Sequence, residues 1–467
     1  MREENNMENK NEQQVGLKRE MGLFGGVGIM AGIVIGSGIF YLGSYVLQRT
    51  NMNLGMALIC WIVGGLVSIL GGLCFAELGA CDPVAGGMVV YLDKAYHPVV
   101  GYMYGFTSWL LSGAGSISAG AIALVTTLRT YFPMSDMTVK IVAIVIIIAL
   151  TAFNCLGIKL GSILSNVSLV AKLIPIIIII AGALLMGRQS PNLNPVPAGG
   201  FEGGFGGALS MIAFATVATL WAYEGWTNAN NVAEEIKDPG KNLPRILIFG
   251  IGGITILYTV FNFALYKVLP YEEIVSRINN DDLYLGTVVA ERVFGGFGGA
   301  LVLAAMLVAM FGSINGMIIA FARNYYAMAV EGHFFQSYKK IHPKYQVPTH
   351  SLIWQAIICS ILVLLRNLDQ LTNLVVFSGM VFNTLVVLAV IIYRKKYPDL
   401  ERPYKAWGYP VTIVISVVLF GALMINTLVE DPVTSIIGLV VPAIGAVTYF
   451  IFDRKIKKEK AQETKEQ

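Results

Sequence analysis

Twelve long stretches with almost no charged residues constrain this chain more than any other feature. An apolar helix needs about 20 residues to cross a bilayer core of about 30 Å. Charged residues make up 13% of the chain, about half of the roughly 25% found in soluble domains. We therefore predict an all-α integral membrane protein with twelve transmembrane helices, called spans one to twelve. These fall at 21–48, 50–76, 95–128, 141–158, 160–187, 203–236, 246–266, 293–322, 345–365, 370–393, 406–429 and 433–452.

The distribution of Lys and Arg predicts the orientation in the membrane. With twelve spans both termini lie on one side, and that side carries roughly three times as many Lys and Arg residues as the other. Positive charge accumulates on the cytoplasmic side. We expect a multi-pass protein of the cell (plasma or inner) membrane with two polar, disordered cytoplasmic tails, 1–18 and 456–467, around a transporter domain at 19–455.

Span one contains an unusual stretch, "GIVIGSGIFYLG", with Gly36, Ser37 and Gly38 near the middle of the membrane. Backbone inside a bilayer must satisfy its own hydrogen bonds unless protein or a wet cavity surrounds it. Small residues also serve close helix packing. The alternative is that the helix unwinds here and leaves a free half-helix N-terminus at Gly38. Such an end has unpaired N–H donors and about half a positive charge, which suits an anion.

A second interruption is expected at the matching position of a second repeat, because transporters built from inverted repeats pair their broken helices. Span six reads "FATVATLWAYEGWTNANNVAEE", with Glu224 and Gly225 in mid-span. Spans one and six are then a pair of discontinuous helices in a 5+5 inverted repeat. Repeat one covers about 21–188, repeat two about 203–394, and two extra helices about 406–453.

Several motifs occur in a specific order along the chain. They are "GSGIF" in span one, "WAYEGW" in span six followed by "AEEIKDPGKNLPR", then "FGSINGM" in span eight and "EGHFF" after it. In this order the chain resembles the amino acid–polyamine–organocation superfamily over 15–455. It is most similar to the L-type amino acid transporters and the bacterial serine/threonine and alanine-type exchangers. The resemblance implies the five-plus-five fold shared with sodium-coupled neurotransmitter transporters.

The resemblance also implies a substrate site at the two breaks. The substrate carboxylate would bind amides of the second half-helix of span one, and its ammonium group would bind carbonyls at the ends of the first half-helices. Trp221 would be an outer gate, or an ordinary core or interfacial aromatic, and Tyr258 would close over the site, or pack in the core. The candidate substrate-binding residues are Val34, Ile35, Gly36, Ser37, Gly38, Ile39, Trp221, Glu224, Thr227, Asn228 and Tyr258.

Two charged residues stand inside predicted spans. Lys172 in span five lies roughly 20 Å from either end of its span, and a lysine at that depth costs a few kcal/mol. The resemblance implies that its ammonium group replaces the sodium ion of sodium-coupled relatives, with Ser313 as partner, either as a static cation or as a proton carrier. Glu224 either lines the substrate side-chain subsite, where it would favour a basic substrate, or hydrogen-bonds behind the unwound segment.

No catalytic or metal-binding motif occurs: GxxxxGK[ST], GxSxG and HExxH are absent, and the Cys and His residues lack metal spacing. We expect no enzyme, no cofactor and no metal. The predicted function is secondary active exchange of small neutral L-amino acids (serine, threonine, alanine) by alternating access. Proton-coupled symport through Lys172 and cationic amino acid or polyamine antiport, prompted by Glu224, are the alternatives.

The expected partners are amino acid substrates and the lipid bilayer, without nucleic acid. Eukaryotic members of the resembled branch attach to a heavy chain through a cysteine between spans three and four. The corresponding loop here, "TYFPMSDMTVK", has no cysteine. We therefore expect no disulfide-linked heavy chain. The oligomeric state is left open.

Overall fold

The computed structural model describes residues 22–36, 38–83, 87–130, 132–156, 173–197, 199–330, 334–345 and 347–466. Every predicted span coincides with helix in these ranges. Ser37 and Lys172 lie outside them. The helices of spans one to twelve are Leu23–Val34 with Gly38–Arg49, Leu54–Cys81, Pro98–Thr127, Asp136–Cys155, Leu173–Met186, Gly204–Tyr223 with the 3₁₀ helix Trp226–Glu235, Pro239–Val268, Leu285–Val330 with a kink at Gly295, Thr349–Leu365, Leu368–Lys396, Val411–Glu430 and Pro432–Glu466.

Among the described residues, nine helices are long and apolar enough to cross a membrane. Three shorter apolar helices, Leu23–Gly32, Leu173–Met186 and Thr349–Leu365, belong to spans one, five and nine. The chain is therefore an all-helical, multi-pass membrane protein, and the number of twelve crossings stays a prediction. Short helices outside the spans are Met88–Ala95 and Tyr271–Asn279, with 3₁₀ turns at Leu128–Thr130 and Gln336–Lys339.

Polar residues at the helix ends explain where several spans begin. The Asn53 side chain accepts the Met56 N–H at 2.8 Å and caps span two. Asn367 and Gln370 form a reciprocal capping box at the start of span ten, with donor–acceptor distances of 2.8 and 3.2 Å. Such caps satisfy N–H groups that have no acceptor within the helix.

The spans pack in two groups. Spans one and two pack against spans six and seven, spans three and four pack against spans eight and nine, and span ten contacts both groups. Glycines allow the close approach in the first group: a Cβ on Gly64 would lie 2.1 Å from Thr219 Oγ1 of span six, and one on Gly65 would lie 2.0 Å from Thr255 Oγ1 of span seven. Each group joins spans that lie five apart in the chain, and the inverted repeat itself stays a prediction.

Ion pairs connect span ten to the first group at both of its ends. At its beginning, Asp369 pairs with Arg49 of span one at 2.7 Å. Near its end, Arg394 pairs with Glu77 of span two at 2.7 Å. By the predicted topology these pairs lie on opposite sides of the membrane. Together they hold the two ends of span ten against spans one and two.

Candidate substrate-binding site

Span one breaks where the sequence predicts. Its first helix ends at Val34, and Ile35 has an extended backbone (ψ 90°) whose N–H donates to the Ala31 carbonyl at 2.8 Å. A new helix begins at Gly38. The N–H groups of the first turn, from Gly38 to Phe40, have no acceptor within their own helix. They form the positive end of a half-helix inside the protein.

Span six breaks at Glu224 and Gly225. The helix ends at Tyr223, the Glu224 N–H donates to the Trp221 carbonyl at 3.2 Å, and a 3₁₀ helix follows from Trp226. Gly225 has φ of +111°, in a region that favours glycine because it has no Cβ. The break therefore leaves the negative, C-terminal end of a half-helix inside span six.

The two breaks lie directly against each other at Gly38. A Cβ on Gly38 would lie 3.2 Å from the Ala222 Cα and 3.1 Å from Trp221 Cδ1. The Ala222 backbone cannot move aside as a flexible side chain can, so glycine is the residue that fits here. The structure thus brings Gly38 against Trp221 and Ala222, and the role of these residues in substrate binding stays a prediction.

Tyr258 of span seven reaches the ends of both broken helices. Its buried hydroxyl donates to the Ala222 carbonyl at 3.2 Å and to the Val34 carbonyl at 3.4 Å. Its ring lies 5.5 Å from those of Trp61 and Tyr223. Sequence reasoning missed Trp61, because an aromatic residue inside an apolar span carries no signal of its own.

The Glu224 side chain occupies a different part of the structure. It borders a cavity of about 10 Å³ between spans two, six, ten and eleven, which is the room that one water molecule needs. A Cβ on Gly379 of span ten would lie 3.8 Å from Glu224 Oε2. Sequence reasoning did not identify the polar neighbours in this cavity. Its lining residues are Ser68, Leu220, Glu224, Trp226, Val376, Met380, Asn383 and Phe420.

The remaining candidates are placed only in part. Thr227 is buried on the 3₁₀ helix of span six, and the side chain of Asn228 is outside the described part of the chain. The Ser313 hydroxyl is buried and has no hydrogen-bond partner in the described ranges. Its predicted contact with Lys172 stays a prediction. No group of three or more His, Cys, Asp or Glu residues in those same ranges could hold a metal ion.

Comparison with known proteins decides the family. The model of the amino acid permease family matches residues 21–451, nearly the whole chain. The chain belongs to the amino acid permease family. This confirms the resemblance to the amino acid–polyamine–organocation superfamily and its L-type branch, and it makes this permease an amino acid transporter of the membrane.

Curated relatives cover this permease almost end to end. It is 29% identical to the serine/threonine exchanger SteT of Bacillus subtilis, over 96% of this chain and 98% of the relative. It is 30% identical to the b(0,+)-type amino acid transporter 1 of Mus musculus, over 89% and 84%. It is 28% identical to the large neutral amino acids transporter small subunit 2 of Homo sapiens, over 94% and 81%.

Proposed function

We propose that this permease exchanges small neutral L-amino acids, such as serine, threonine and alanine, by alternating access. The observation that carries the proposal is the pair of opposed helix breaks. The N–H end that begins at Gly38 suits the substrate carboxylate, and the carbonyl ends at Val34 and Ala222 suit its ammonium group. A zwitterion complements both ends at once.

Two further observations support a small substrate and exchange. Gly38 and Trp221 leave little room between spans one and six, which favours a short side chain. The Bacillus relative that aligns over both full lengths is a serine/threonine exchanger. In our proposal Ser37 and Ile39 complete the carboxylate subsite, and Lys172 with Ser313 takes the place of a coupling sodium ion. Both termini are cytoplasmic, and no disulfide-linked heavy chain is needed.

A cationic substrate is the second candidate, because Glu224 places a carboxyl group in the break of span six. The cavity that this carboxyl borders is lined from spans two, ten and eleven. Gly38 and Tyr258 are not among its lining residues. This placement favours a neutral substrate. Serine uptake into vesicles loaded with arginine tests it.

The test is uptake of labelled L-serine into proteoliposomes that contain the purified permease. The vesicle interior is empty, loaded with unlabelled serine, loaded with arginine, or placed under an inward proton gradient. We expect uptake only with serine inside. Uptake driven by internal arginine would show that the permease also accepts a cationic substrate. Uptake into empty vesicles under the proton gradient would show that the permease is a proton symporter and not an exchanger.

A matched pair of glycine variants tests the site itself. Gly38→Leu places a side chain against the Ala222 backbone, whereas Gly28→Leu, also in span one, meets nothing within 4 Å at its Cβ position. We expect serine exchange to be lost in Gly38→Leu and kept in Gly28→Leu, with both proteins folded and monodisperse. Normal exchange by Gly38→Leu would refute the carboxylate site.

A further inference from the structure

We propose that Glu224 and the cavity beside it form a proton-binding site that must be occupied whenever the permease closes around its substrate. The transport part of this inference rests on the proposed function, since it concerns how the exchange cycle responds to protons. The site is distinct from the carboxylate and ammonium subsites. Its ligand is a single proton, together with one water molecule that delivers it.

The geometry provides a place for that water molecule. The cavity measures about 10 Å³, and a buried water needs two to four polar partners. Glu224, Ser68 and Asn383 supply three polar side chains around it. The Ser68 hydroxyl donates to the Gly64 carbonyl at 2.8 Å, so its oxygen is left to accept a hydrogen bond from water.

Within the described ranges, the surroundings of Glu224 offer its carboxylate no counter-charge. The cavity is lined by hydroxyl, amide, aliphatic and aromatic side chains from spans two, six, ten and eleven, and none of these carries charge. From span three, the Tyr104 phenol lies close enough to interact electrostatically with Glu224. No Lys, Arg or His of the described residues pairs with Glu224. A phenol adds no positive charge.

Glu224 is half-buried, and a carboxylate in such surroundings is costly. Taking an ion out of water costs several kcal/mol unless a partner repays it, and a buried acid avoids the cost by binding a proton. In the proposed site, Glu224 is the neutral acid in the conformation described here. When the cavity opens to water on either side, the carboxyl gives its proton to that water and becomes a hydrated carboxylate.

The site is connected to the substrate through the backbone of the break. Glu224 directly follows Tyr223 at the helix end, and its N–H holds the Trp221 carbonyl at 3.2 Å. Ala222, whose carbonyl meets Tyr258, is two residues away. Closure of the break around a substrate thus closes the proton site as well. Each loaded crossing then carries one amino acid and one proton.

This stoichiometry has a specific consequence for an exchanger. Both half-cycles carry a proton, so a proton gradient drives no net amino acid uptake. Exchange instead slows as the pH rises on both sides, because the closed state requires the protonated acid. Once the carboxyl is ionised in the open states, the exchange rate should fall about tenfold per pH unit.

The first experiment reads the proton directly and needs no transport. Infrared difference spectra of the purified permease in lipid, recorded between acidic and alkaline buffers, report a protonated carboxyl through its C=O stretching band. We expect a band that titrates in the unmodified permease, persists in Glu202→Gln and is missing in Glu224→Gln. Glu202 is an exposed acid in the loop before span six. An unchanged band in Glu224→Gln would overturn the proposal.

The second experiment follows serine exchange at equal pH inside and outside. We expect the unmodified permease and Glu202→Gln to slow as the pH rises, Glu224→Asp to keep a pH dependence, and Glu224→Gln to exchange at a rate independent of pH. A pH profile that is the same in Glu224→Gln as in the unmodified permease overturns the proposal. If serine is not exchanged at any pH, the proposed function has failed, and the infrared band alone decides on the proton site.

Discussion

The hydroxyl of Tyr258 lies 3.2 Å from the carbonyl oxygen of Ala222, at the end of the first half of span six. The same hydroxyl lies 3.4 Å from the Val34 carbonyl, at the corresponding end in span one. One side chain of span seven therefore holds the ends of both broken helices. A substrate ammonium group that binds these carbonyls must share them with the Tyr258 hydroxyl.

The first prediction is that Tyr258→Phe weakens substrate binding while the fold is kept, because the variant loses the bridge that holds both carbonyl ends in place for the ammonium group. One hydrogen bond of this kind contributes about 1 kcal/mol, so the half-saturating serine concentration in the exchange assay should rise about fivefold. Tyr266→Phe is the control, because its hydroxyl is buried on the same helix and has no hydrogen-bond partner in the described residues. Equal effects of the two variants would contradict a role for the bridge.

The second prediction concerns Glu77, a buried carboxylate at the end of span two. It accepts hydrogen bonds from Nε and Nη2 of Arg394, both at 2.7 Å, and from the Ala406 N–H at 2.6 Å. Removing one partner of a buried ion pair leaves the other charge uncompensated. We expect Glu77→Gln to lower the free energy of unfolding by about 3 kcal/mol.

Two measurements check this expectation. Thermal unfolding in detergent reports the loss of stability, and the rate of maleimide labelling at Cys81, one turn beyond Glu77, reports opening of this end. Glu401→Gln, an exposed acid in the loop after span ten, should change neither quantity. If Glu77→Gln behaves like Glu401→Gln, the ion pair does not hold spans two and ten together.

The third prediction concerns Arg49 at the opposite end of span ten. Its guanidinium donates to the Phe214 carbonyl at 3.0 Å and to Asp369 and Asn373 at 2.7 Å each. It also lies 4.2 Å from the Phe214 ring centroid. Lysine keeps the charge but cannot reproduce this planar set of contacts. Arg49→Lys should therefore destabilise the protein by about 2 kcal/mol.

Thermal unfolding again provides the measurement, with Arg366→Lys as the control. Arg366 follows span nine directly and is only partly buried. Its substitution should leave the unfolding midpoint within error of the unmodified protein. A midpoint for Arg49→Lys equal to that of Arg366→Lys would show that charge alone suffices at position 49.

The fourth prediction is a pH dependence at the loop helix between spans seven and eight. Burial acts to raise the pKa of Glu273, but the hydrogen bonds and charges of Arg292 and Arg277 outweigh it and lower this pKa below 4.5. A lowered carboxyl pKa stabilises the folded state above the ordinary pKa, and the contribution is lost as the pH falls through the lowered value.

Glu273→Gln should therefore cost about 0.5 kcal/mol of unfolding free energy near neutral pH, since these ion pairs are partly exposed to solvent. The difference from the unmodified protein should vanish in strong acid. Glu272→Gln, its exposed neighbour, should have no effect at either pH. A deficit of Glu273→Gln that persists in acid would assign it to lost packing instead of lost charge.

The sequence alone predicted where the helices lie and where two of them break. Bilayer thickness sets a minimum length for an uncharged run, so the position of each span can be predicted without knowing its neighbours. The breaks were predictable for a similar local reason. A continuous membrane helix is not expected to carry the glycines at 36 and 38, or a charged residue followed by glycine at 224 and 225. The helices end beside these positions, at Val34 and Tyr223.

The neighbours of each side chain were decided by the tertiary structure. A membrane helix that is apolar on all sides does not reveal which face meets which partner, so the direction of Glu224 toward Ser68 and Asn383 was not readable. The ion pair of Arg49 with Asp369 joins residues 320 positions apart. Such contacts exist only once the spans have packed, because a local pattern encodes backbone conformation but not the rotation of one helix against another.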